Sequence, residues 1–204
     1  MHLTRLTLDP RSAQARRDLG DAYEMHRTLA RAFAADAQSP PARFLWRLEA
    51  GGNAWATPMV LVQAAAEADW SALQALPNYL QRPVESKRLA FEEWIEGRMR
   101  YRFRLQANPT VTRQGKRYGL VGEDEQLAWL GRQGERHGFN IEAALVTASD
   151  VLASRKGESR ISLQRVCFEG SLQVLELAAF SRALMLGIGP GKAFGCGLLS
   201  VARG

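Results

Sequence analysis

The 204-residue chain has only two cysteines, Cys167 and Cys196. Two thiols are too few for a zinc cluster, and in a reducing compartment we expect them to stay unbridged. Glycine and proline together number 26, too few for a collagen or a wholly disordered chain. No apolar run approaches the roughly 18 to 20 residues needed to cross a bilayer. We therefore expect a globular protein with neither a disulfide scaffold nor a membrane-spanning helix.

The first nine residues, MHLTRLTLD, also lack the apolar core and small-residue cleavage site of a secretory signal. We therefore expect a cytoplasmic protein. Hydrophobic residues make up 46% of the chain and charged residues 24%, which is ordinary for a chain that buries a core. The length allows one large domain or two small ones.

The net charge of +6 is unevenly distributed along the chain. Residues 1–97 hold 11 Lys/Arg and 12 Asp/Glu, whereas residues 98–204 hold 16 and 9, so the two halves carry −1 and +7. Lysine and arginine side chains gain affinity for polyanions by displacing condensed counterions from phosphates. The second half therefore favours a nucleic-acid partner, with a generic basic surface as the alternative.

Hydrophobic spacing in the first half predicts a β-α-β-β-α-β order of elements. The elements are an alternating strand at 3–8, an amphipathic helix at 21–35, paired strands at 43–49 and 59–65, a short helix near Ala68 and an extended stretch at 80–89. Either Asp18 or Asp21 is placed to cap the first helix.

The second half is predicted to repeat that order. Its first strand runs over 98–106, where arginines alternate with apolar residues and give one face of each kind. Residues 123–136 have acids in the first turn and Arg in the last, as expected of a helix. The remaining predicted elements are a hairpin of 161–168 and 172–177 about Glu169-Gly170, a helix at 178–186 and a strand at 197–201. The expected architecture is two α+β domains in tandem, 1–92 and 93–204.

A phenol, an imidazole and a guanidinium lie together near the start of the first helix. Tyr23 and His26 are three residues apart and so share one side of a helix, with Arg27 beside them. Histidine gives or takes a proton near neutrality because its unperturbed pKa is about 6.5. These residues are candidates for proton transfer. The alternative is a half-buried aromatic residue beside a histidine bonded to a backbone carbonyl.

Residues 187–197 contain five glycines in eleven positions. Glycine at this density adopts positive φ and lets the backbone approach a ligand closely. The segment does not match a nucleotide-binding P-loop, because Lys192 is followed by Ala193 instead of Ser or Thr. Gly189, Gly191 and Lys192 are candidates to hold a phosphodiester. The alternative is a tight turn between the last helix and the last strand.

Two further basic segments are expected in loops. Arginines presented at the tip of a hairpin are able to enter a widened RNA groove and bind phosphates or base edges. The segments are Arg113, Lys116 and Arg117 after Asn108-Pro109, and Arg155, Lys156 and Arg160 around Gly157, the latter as the tip of a protruding hairpin. For each segment the alternative is a solvated loop.

In combination, these motifs make the chain resemble the CasE-type CRISPR-associated endoribonucleases of type I-E systems. The resemblance covers nearly the whole chain, and its most specific parts are 23–27 (YEMHR) and the terminal run 187–201. It implies two ferredoxin-like, RRM-related domains and metal-independent cleavage of precursor CRISPR RNA at the repeat hairpin. The chemistry implied is attack by the RNA's own 2′-OH, which leaves a 2′,3′-cyclic phosphate and a 5′-OH. The product would be retained within the Cascade complex.

The resemblance also assigns roles to residues. It maps the catalytic pair onto Tyr23 and His26, with Arg27 and Arg31 as cations that stabilise the extra negative charge of the transition state. Some relatives carry Lys in place of Arg31, and a guanidinium stabilises charge without donating its proton. RNA contacts are implied for the basic segments and Lys192. No cofactor or metal is expected.

Two alternatives of other classes remain open. One is a non-catalytic subunit that binds the RNA hairpin and needs neither member of the catalytic pair. The other is a ferredoxin-like regulatory or ligand-binding domain whose basic surface is incidental. Binding without cleavage would favour the first, and weak RNA affinity without preference for a hairpin would favour the second.

Overall fold

The computed structural model describes residues 1–36, 38–49, 56–90, 93, 95–156 and 159–204, and it leaves out the side chains of 155–160. The chain forms two compact units. The first unit consists of 1–89, 154–160 and 193–195, and the second of 90–153, 161–192 and 196–204. Within the described ranges, none of the helices combines the length and the apolar character needed to cross a membrane.

The first unit is built on a four-stranded antiparallel sheet. Its strands are β1 (His2–Thr7), β2 (Phe44–Glu49), β3 (Met59–Ala64) and β4 (Glu85–Arg88). They lie in the order β2-β3-β1-β4. The predicted hairpin of β2 and β3 is confirmed, with Trp46 opposite Val62. Alternate residues of the strands, such as Leu6 and Val60, are fully buried and form the core.

Among the described residues, the helices that accompany this sheet are α1 (Ala13–Gly20), α2 (Ala22–Ala30) and α3 (Ser71–Gln74). The helix predicted over 21–35 is confirmed but ends earlier, at Ala30. The next three residues form tighter turns with i→i−3 bonds, including Ala32 N to Leu29 O at 3.0 Å, and these turns bury Ala32 and Phe33.

A buried polar cluster holds α1 in place. Tyr79 donates its hydroxyl hydrogen to Asp18 at 2.8 Å, and Gln14 donates to the other carboxylate oxygen at 2.8 Å. Burial raises the pKa of Asp18. Asp18 is therefore a structural residue inside α1, and the cap of α2 is Asp21, the other predicted candidate.

The second unit repeats the same topology. Its sheet contains β5 (Arg100–Ala107), β8 (Phe139–Lys156), β9 (Ser159–Val174) and β10 (Leu199–Arg203). The helices are α4 (Glu123–Arg136) and α5 (Leu177–Leu186). The first sheet, read from the other edge, has the order β4-β1-β3-β2, and the second has the order β10-β5-β9-β8. Each strand therefore has a counterpart at the same place in the other sheet. The prediction of two tandem ferredoxin-like β-α-β-β-α-β repeats is confirmed.

The hairpin predicted about Glu169-Gly170 is wrong. Both residues lie in the middle of β9, where they pair with Arg104 and Phe103 of β5, and the true hairpin partner of β9 is β8. A Cβ on Gly170 would overlap the backbone carbonyl of Ala143 in β8. Glycine therefore permits a close approach between neighbouring strands here, instead of a turn.

The segment after β5 was predicted to be a loop and is instead a two-stranded ribbon. The ribbon consists of β6 (Thr110–Arg113) and β7 (Lys116–Gly119). Between them, Gln114 and Gly115 have φ of 49° and 74°. Two successive residues with positive φ are typical of a type I′ turn, whose twist suits a tight hairpin. The basic residues 113, 116 and 117 are therefore held in strand register.

Candidate active site

Helix α2 positions the predicted catalytic residues. Asp21 has an extended backbone and its Oδ1 accepts the Tyr23 N–H at 2.8 Å, which starts the helix two residues before Tyr23. The same oxygen accepts the hydroxyl hydrogen of Ser154 at 2.5 Å. Met25 and Leu29 on one side of α2 are buried. Tyr23 and the histidine that follows Met25 are half-buried at the edge of that side.

The His26 ring lies against Phe44 of β2, with ring centroids 4.9 Å apart and an interplanar angle of 21°. Its Nδ1 is buried, and no atom of the described residues hydrogen-bonds to it. Desolvation by this burial lowers the pKa of His26 below 6.5. The imidazole is therefore neutral at neutral pH, which is the protonation state that accepts a proton.

The Tyr23 ring packs near Phe194, with centroids 6.3 Å apart and planes inclined by 29°. Phe194 lies in the short 3-10 turn Lys192–Phe194 of the glycine-rich segment. Phe44 and Phe194 thus each pack against one ring of the predicted pair, and no local feature of the sequence signals either contact. Both contacts join residues far apart in the chain, which periodicity does not reveal.

The two predicted catalytic cations differ in their surroundings. Arg27 donates to Glu24 at 3.0 Å, and Arg17 forms a second ion pair with the same carboxylate. Arg31 caps the C-terminal end of α2 and is exposed, and within the described ranges it has no acidic partner. Glu24 therefore offsets charge at Arg27, whereas the full charge of Arg31 is available to an anion.

The glycine-rich segment owes its conformation to its glycines. Gly187, Gly189, Gly191, Gly195 and Gly197 all have φ between 74° and 97°. A Cβ on Gly189 would lie 3.0 Å from the Trp129 ring, and one on Gly195 would lie 3.1 Å from Trp46. The prediction that these glycines adopt positive φ is confirmed, and close packing on two tryptophans accounts for two of them.

Lys192 lies within the glycine-rich segment. Its Nζ donates to the carbonyl oxygen of Gly189 at 2.6 Å. This bond spans a single tight turn and fixes the ammonium group beside Gly189 and Gly191. The three predicted phosphate contacts of this segment are therefore adjacent in the second unit.

The structure places the remaining predicted RNA contacts on strands. Arg113, Lys116 and Arg117 are exposed on the β6–β7 ribbon, and none has an acidic partner within the described ranges. Arg155 and Lys156 end β8 and Arg160 follows the start of β9. These three residues flank the connection between neighbouring strands, as predicted, but their side chains and residues 157–158 lie outside the described residues.

No three His, Cys, Asp or Glu side chains of the described residues cluster in the manner of a metal site. Both cysteines are free thiols, one half-buried and one buried. Burial raises the pKa of Cys196 to about 12. Cys196 is therefore a protonated packing residue at neutral pH and not a nucleophile.

Comparison with known proteins places this site in context. A family model described as "CRISPR associated protein" matches residues 1–203. The chain is 38% identical to the CRISPR-associated endoribonuclease Cse3 of Thermus thermophilus over 216 residues, 99% of this chain and 100% of that protein. It is 35% identical over 113 residues to the CRISPR system Cascade subunit CasE of Escherichia coli K12, 49% of this chain and 56% of that protein.

The three-dimensional comparison agrees with these matches. A solved structure of Thermus thermophilus Cse3 bound to an RNA representing a pre-cleavage complex is similar with a TM-score of 0.87. The two chains are 39% identical, and the match covers 99% of this chain and 98% of the other. The similarity therefore extends over both units of the fold.

Proposed function

The chain belongs to the CRISPR-associated protein family, and from this membership we infer that it is an endoribonuclease that processes precursor CRISPR RNA at the repeat hairpin. The observation that carries the inference is the match to a named endoribonuclease along essentially the full length of both chains. Its partners are the repeat RNA and other Cascade subunits. A location in the cytoplasm follows from that substrate and those partners, and belongs to the proposal.

We propose that cleavage is a transfer of the phosphoryl group within the RNA. The 2′-OH loses its proton and its oxygen attacks the adjacent phosphorus. A five-coordinate phosphorane forms, the bond from phosphorus to the 5′ oxygen breaks, and that oxygen gains a proton. The products are a 2′,3′-cyclic phosphate and a 5′-OH, so atoms and charge balance without a metal or water as reactant. The protein must supply one proton acceptor, one proton donor and positive charge.

We assign a proton transfer to His26. The ring is neutral before RNA binds, because burial lowers its pKa, and a neutral ring is prepared to accept the 2′-OH proton. Nδ1 is enclosed by protein, so the transfer would take place at Nε2. Tyr23, three residues earlier on α2, would orient the phosphate or share the transfer through its phenol.

Positive charge for the phosphorane would come from Arg27 and Arg31. The carboxylate of Glu24 already holds Arg27, whereas Arg31 is exposed at the end of the same helix. Arg31 would therefore carry the larger share of charge stabilisation, and Arg27 would orient the phosphate. A guanidinium stays protonated throughout, so neither residue serves as the proton donor.

We propose that RNA binding is assigned to the second domain, 93–204, and cleavage to the first, 1–92. Residues 93–204 hold 16 Lys/Arg and 11 Asp/Glu, a net charge of +5, whereas residues 1–92 hold 11 and 10, a net charge of +1, and this difference supports the division. The proposed RNA contacts are Arg113, Lys116, Arg117, Arg155, Lys156, Arg160, Gly189, Gly191 and Lys192. In this arrangement attraction of the polyanion does not require a strongly basic catalytic helix.

The test is cleavage of a repeat hairpin from the CRISPR array of the host by the intact protein in EDTA. We expect a single cut whose upstream fragment ends in a 2′,3′-cyclic phosphate, detected by its resistance to phosphatase until acid opens the ring. Tight hairpin binding without cleavage would instead select the non-catalytic subunit. Cleavage that disappears with EDTA and returns with a divalent cation would contradict the proposed chemistry.

A further inference from the structure

Tyr118 on the β6–β7 ribbon is an aromatic residue without an assigned role. Its side chain is 49% exposed. Within the described ranges, its ring packs on no other aromatic ring and its hydroxyl makes no hydrogen bond. Exposure of a tyrosine ring leaves a flat apolar surface in water, which is the property that nucleotide bases use when they stack on proteins.

The register of the ribbon determines which side chains accompany Tyr118. Val111 lies opposite Tyr118, and Arg113 lies opposite Lys116. Residues that are directly opposite, or two apart on one strand, share a face. One face of the ribbon therefore carries Tyr118 with Arg113 and Lys116, and the other face carries Arg117.

A glycine shows which face is turned outward. Gly119 lies on the same face as Arg117, and a Cβ at that position would lie 2.7 Å from Cβ of Gln164 in β9. At the base of the ribbon this face is therefore turned toward the sheet of the second unit. Tyr118 and the cations on its face are consequently turned to solvent.

Every charged residue in the segment that contains the ribbon is basic. Residues 97–122 contain seven Lys/Arg and no Asp or Glu. Nearby arginines of β5 find acids on other strands, as in the ion pairs of Arg100 with Glu142 and Arg104 with Glu169. Within the described ranges the cations of the ribbon have no such partner, so this surface is complementary to a polyanion.

The ribbon also lies beside the glycine-rich segment. Asn108 lies two residues before β6, and a Cβ on Gly191 would lie 3.4 Å from Cβ of Asn108. Leu120 N donates to Pro109 O at 3.0 Å and closes the base of the ribbon. The ribbon is thus anchored next to Lys192, a residue proposed to hold RNA phosphate.

We propose that Tyr118 is a stacking platform for an unpaired base of the RNA that flanks the repeat hairpin. Arg113 and Lys116 bind the phosphates on either side of that base. The inference rests on the proposed function, and extends it from the hairpin to single-stranded RNA. The chemistry is that of single-strand binding proteins, which combine an exposed aromatic ring with cations that follow the backbone.

The test compares two RNAs in equilibrium binding: the repeat hairpin with its single-stranded flanks, and the same hairpin trimmed to stem and loop. We expect Tyr118→Ala to weaken binding of the flanked RNA by about 5- to 160-fold, the range for loss of one base stack. Binding of the trimmed RNA should not change. Tyr118→Phe keeps the ring and should bind like the unmodified protein, as should Val121→Ala, a control at a residue 75% exposed outside the ribbon.

Double-mutant cycles test the face assignment. Tyr118→Ala and Lys116→Ala should couple in binding of the flanked RNA, whereas Tyr118→Ala and Arg117→Ala should be additive. Circular dichroism and melting temperature of each variant establish that the ribbon variants are folded. The platform would be overturned if Tyr118→Ala lost the same affinity for both RNAs, or lost affinity for neither. In the second case an acidic protein would be the better candidate partner for this surface.

Cleavage by the unmodified protein separates failure of the platform from failure of the proposed function. If the protein cuts the flanked hairpin while Tyr118→Ala binds both RNAs normally, the platform alone is wrong. If the protein neither cuts nor binds the hairpin, the proposed function is wrong.

Discussion

Helix α2 and the β6–β7 ribbon both present cations, but in opposite surroundings. On α2 one carboxylate, Glu24, pairs with both Arg17 and Arg27, and the neighbouring histidine is desolvated against Phe44. On the ribbon the described residues provide no acid for three exposed basic side chains. A desolvated histidine suits proton transfer, whereas a group of exposed cations without acidic partners suits attraction of phosphate. The comparison predicts that the two activities are separable by mutation.

The largest expected effect is the loss of cleavage rate when His26 on α2 is replaced. His26→Ala should lower the single-turnover cleavage rate by about 10²- to 10⁴-fold, the usual contribution of general acid or base catalysis. The dissociation constant for the hairpin should stay unchanged, because the variant removes no exposed cation. His137→Ala is the matched control, since His137 is also partly desolvated but lies in the second unit. A His26→Ala protein that cuts at the rate of the unmodified protein would contradict the assignment of proton transfer to His26.

The second-largest expected effect is a weaker salt dependence of RNA binding when the cations of the ribbon are removed. Alanine at Arg113, Lys116 and Arg117 together should reduce the slope of log K against log salt by up to about 3, roughly one unit for each phosphate contact. The cleavage rate at saturating protein should be unaffected. The control removes three arginines that pair with acids, Arg5, Arg11 and Arg203. It deletes the same charge, so an equal loss of slope would show that net charge alone drives binding.

A smaller effect is expected from pH. The folded-state pKa of His26 lies below 6.5, so the neutral ring becomes protonated only as pH falls through that lowered value. If the ring accepts the 2′-OH proton, kcat/KM should be level near neutrality and should fall on the acid side of pH 6.5. A rate that instead falls as pH rises through this region would identify His26 as the proton donor.

The smallest effect is expected from the ring that covers His26. Phe44→Leu removes the aromatic stack and admits water, so the pKa of His26 should rise toward 6.5. The acid limb of kcat/KM should move to higher pH in this variant, while the cleavage rate above the limb changes little. Because Phe44 also stacks on Phe33, the melting temperature is measured alongside. If the variant is folded and its kcat/KM falls at the same pH as in the unmodified protein, Phe44 does not set the pKa of His26.

Local signals in the sequence predicted α2 and the glycine-rich segment. An aspartate followed by apolar residues at helical spacing sets the start of α2, and glycines at close spacing set positive φ at 187–197. The same reasoning failed at Glu169-Gly170, because a glycine that permits close strand packing resembles a turn glycine in sequence. It also missed the strand pairing of the basic ribbon, since Gln114 does not usually occupy a position with positive φ.

The surroundings of the candidate catalytic residues were beyond prediction from spacing. Phe44 and Phe194 are separated from their partners by many residues, so only the tertiary fold brings the rings together. The carboxylate that pairs with Arg27 was visible in the sequence as Glu24, three residues earlier, but a second arginine on the same carboxylate was not. Long-range packing therefore determines the desolvation of His26, whereas local pattern determines the position of the site on α2 and the ion pair of Glu24 with Arg27.

The central claim is that cleavage and RNA attraction lie in different regions of the chain. The most direct test measures both the hairpin dissociation constant and the saturated single-turnover rate for His26→Ala and for the triple alanine variant of the ribbon. The account predicts a crossed result: His26→Ala loses rate and keeps affinity, whereas the ribbon variant loses affinity and keeps rate. If both variants lose both quantities together, the division of the two activities is contradicted.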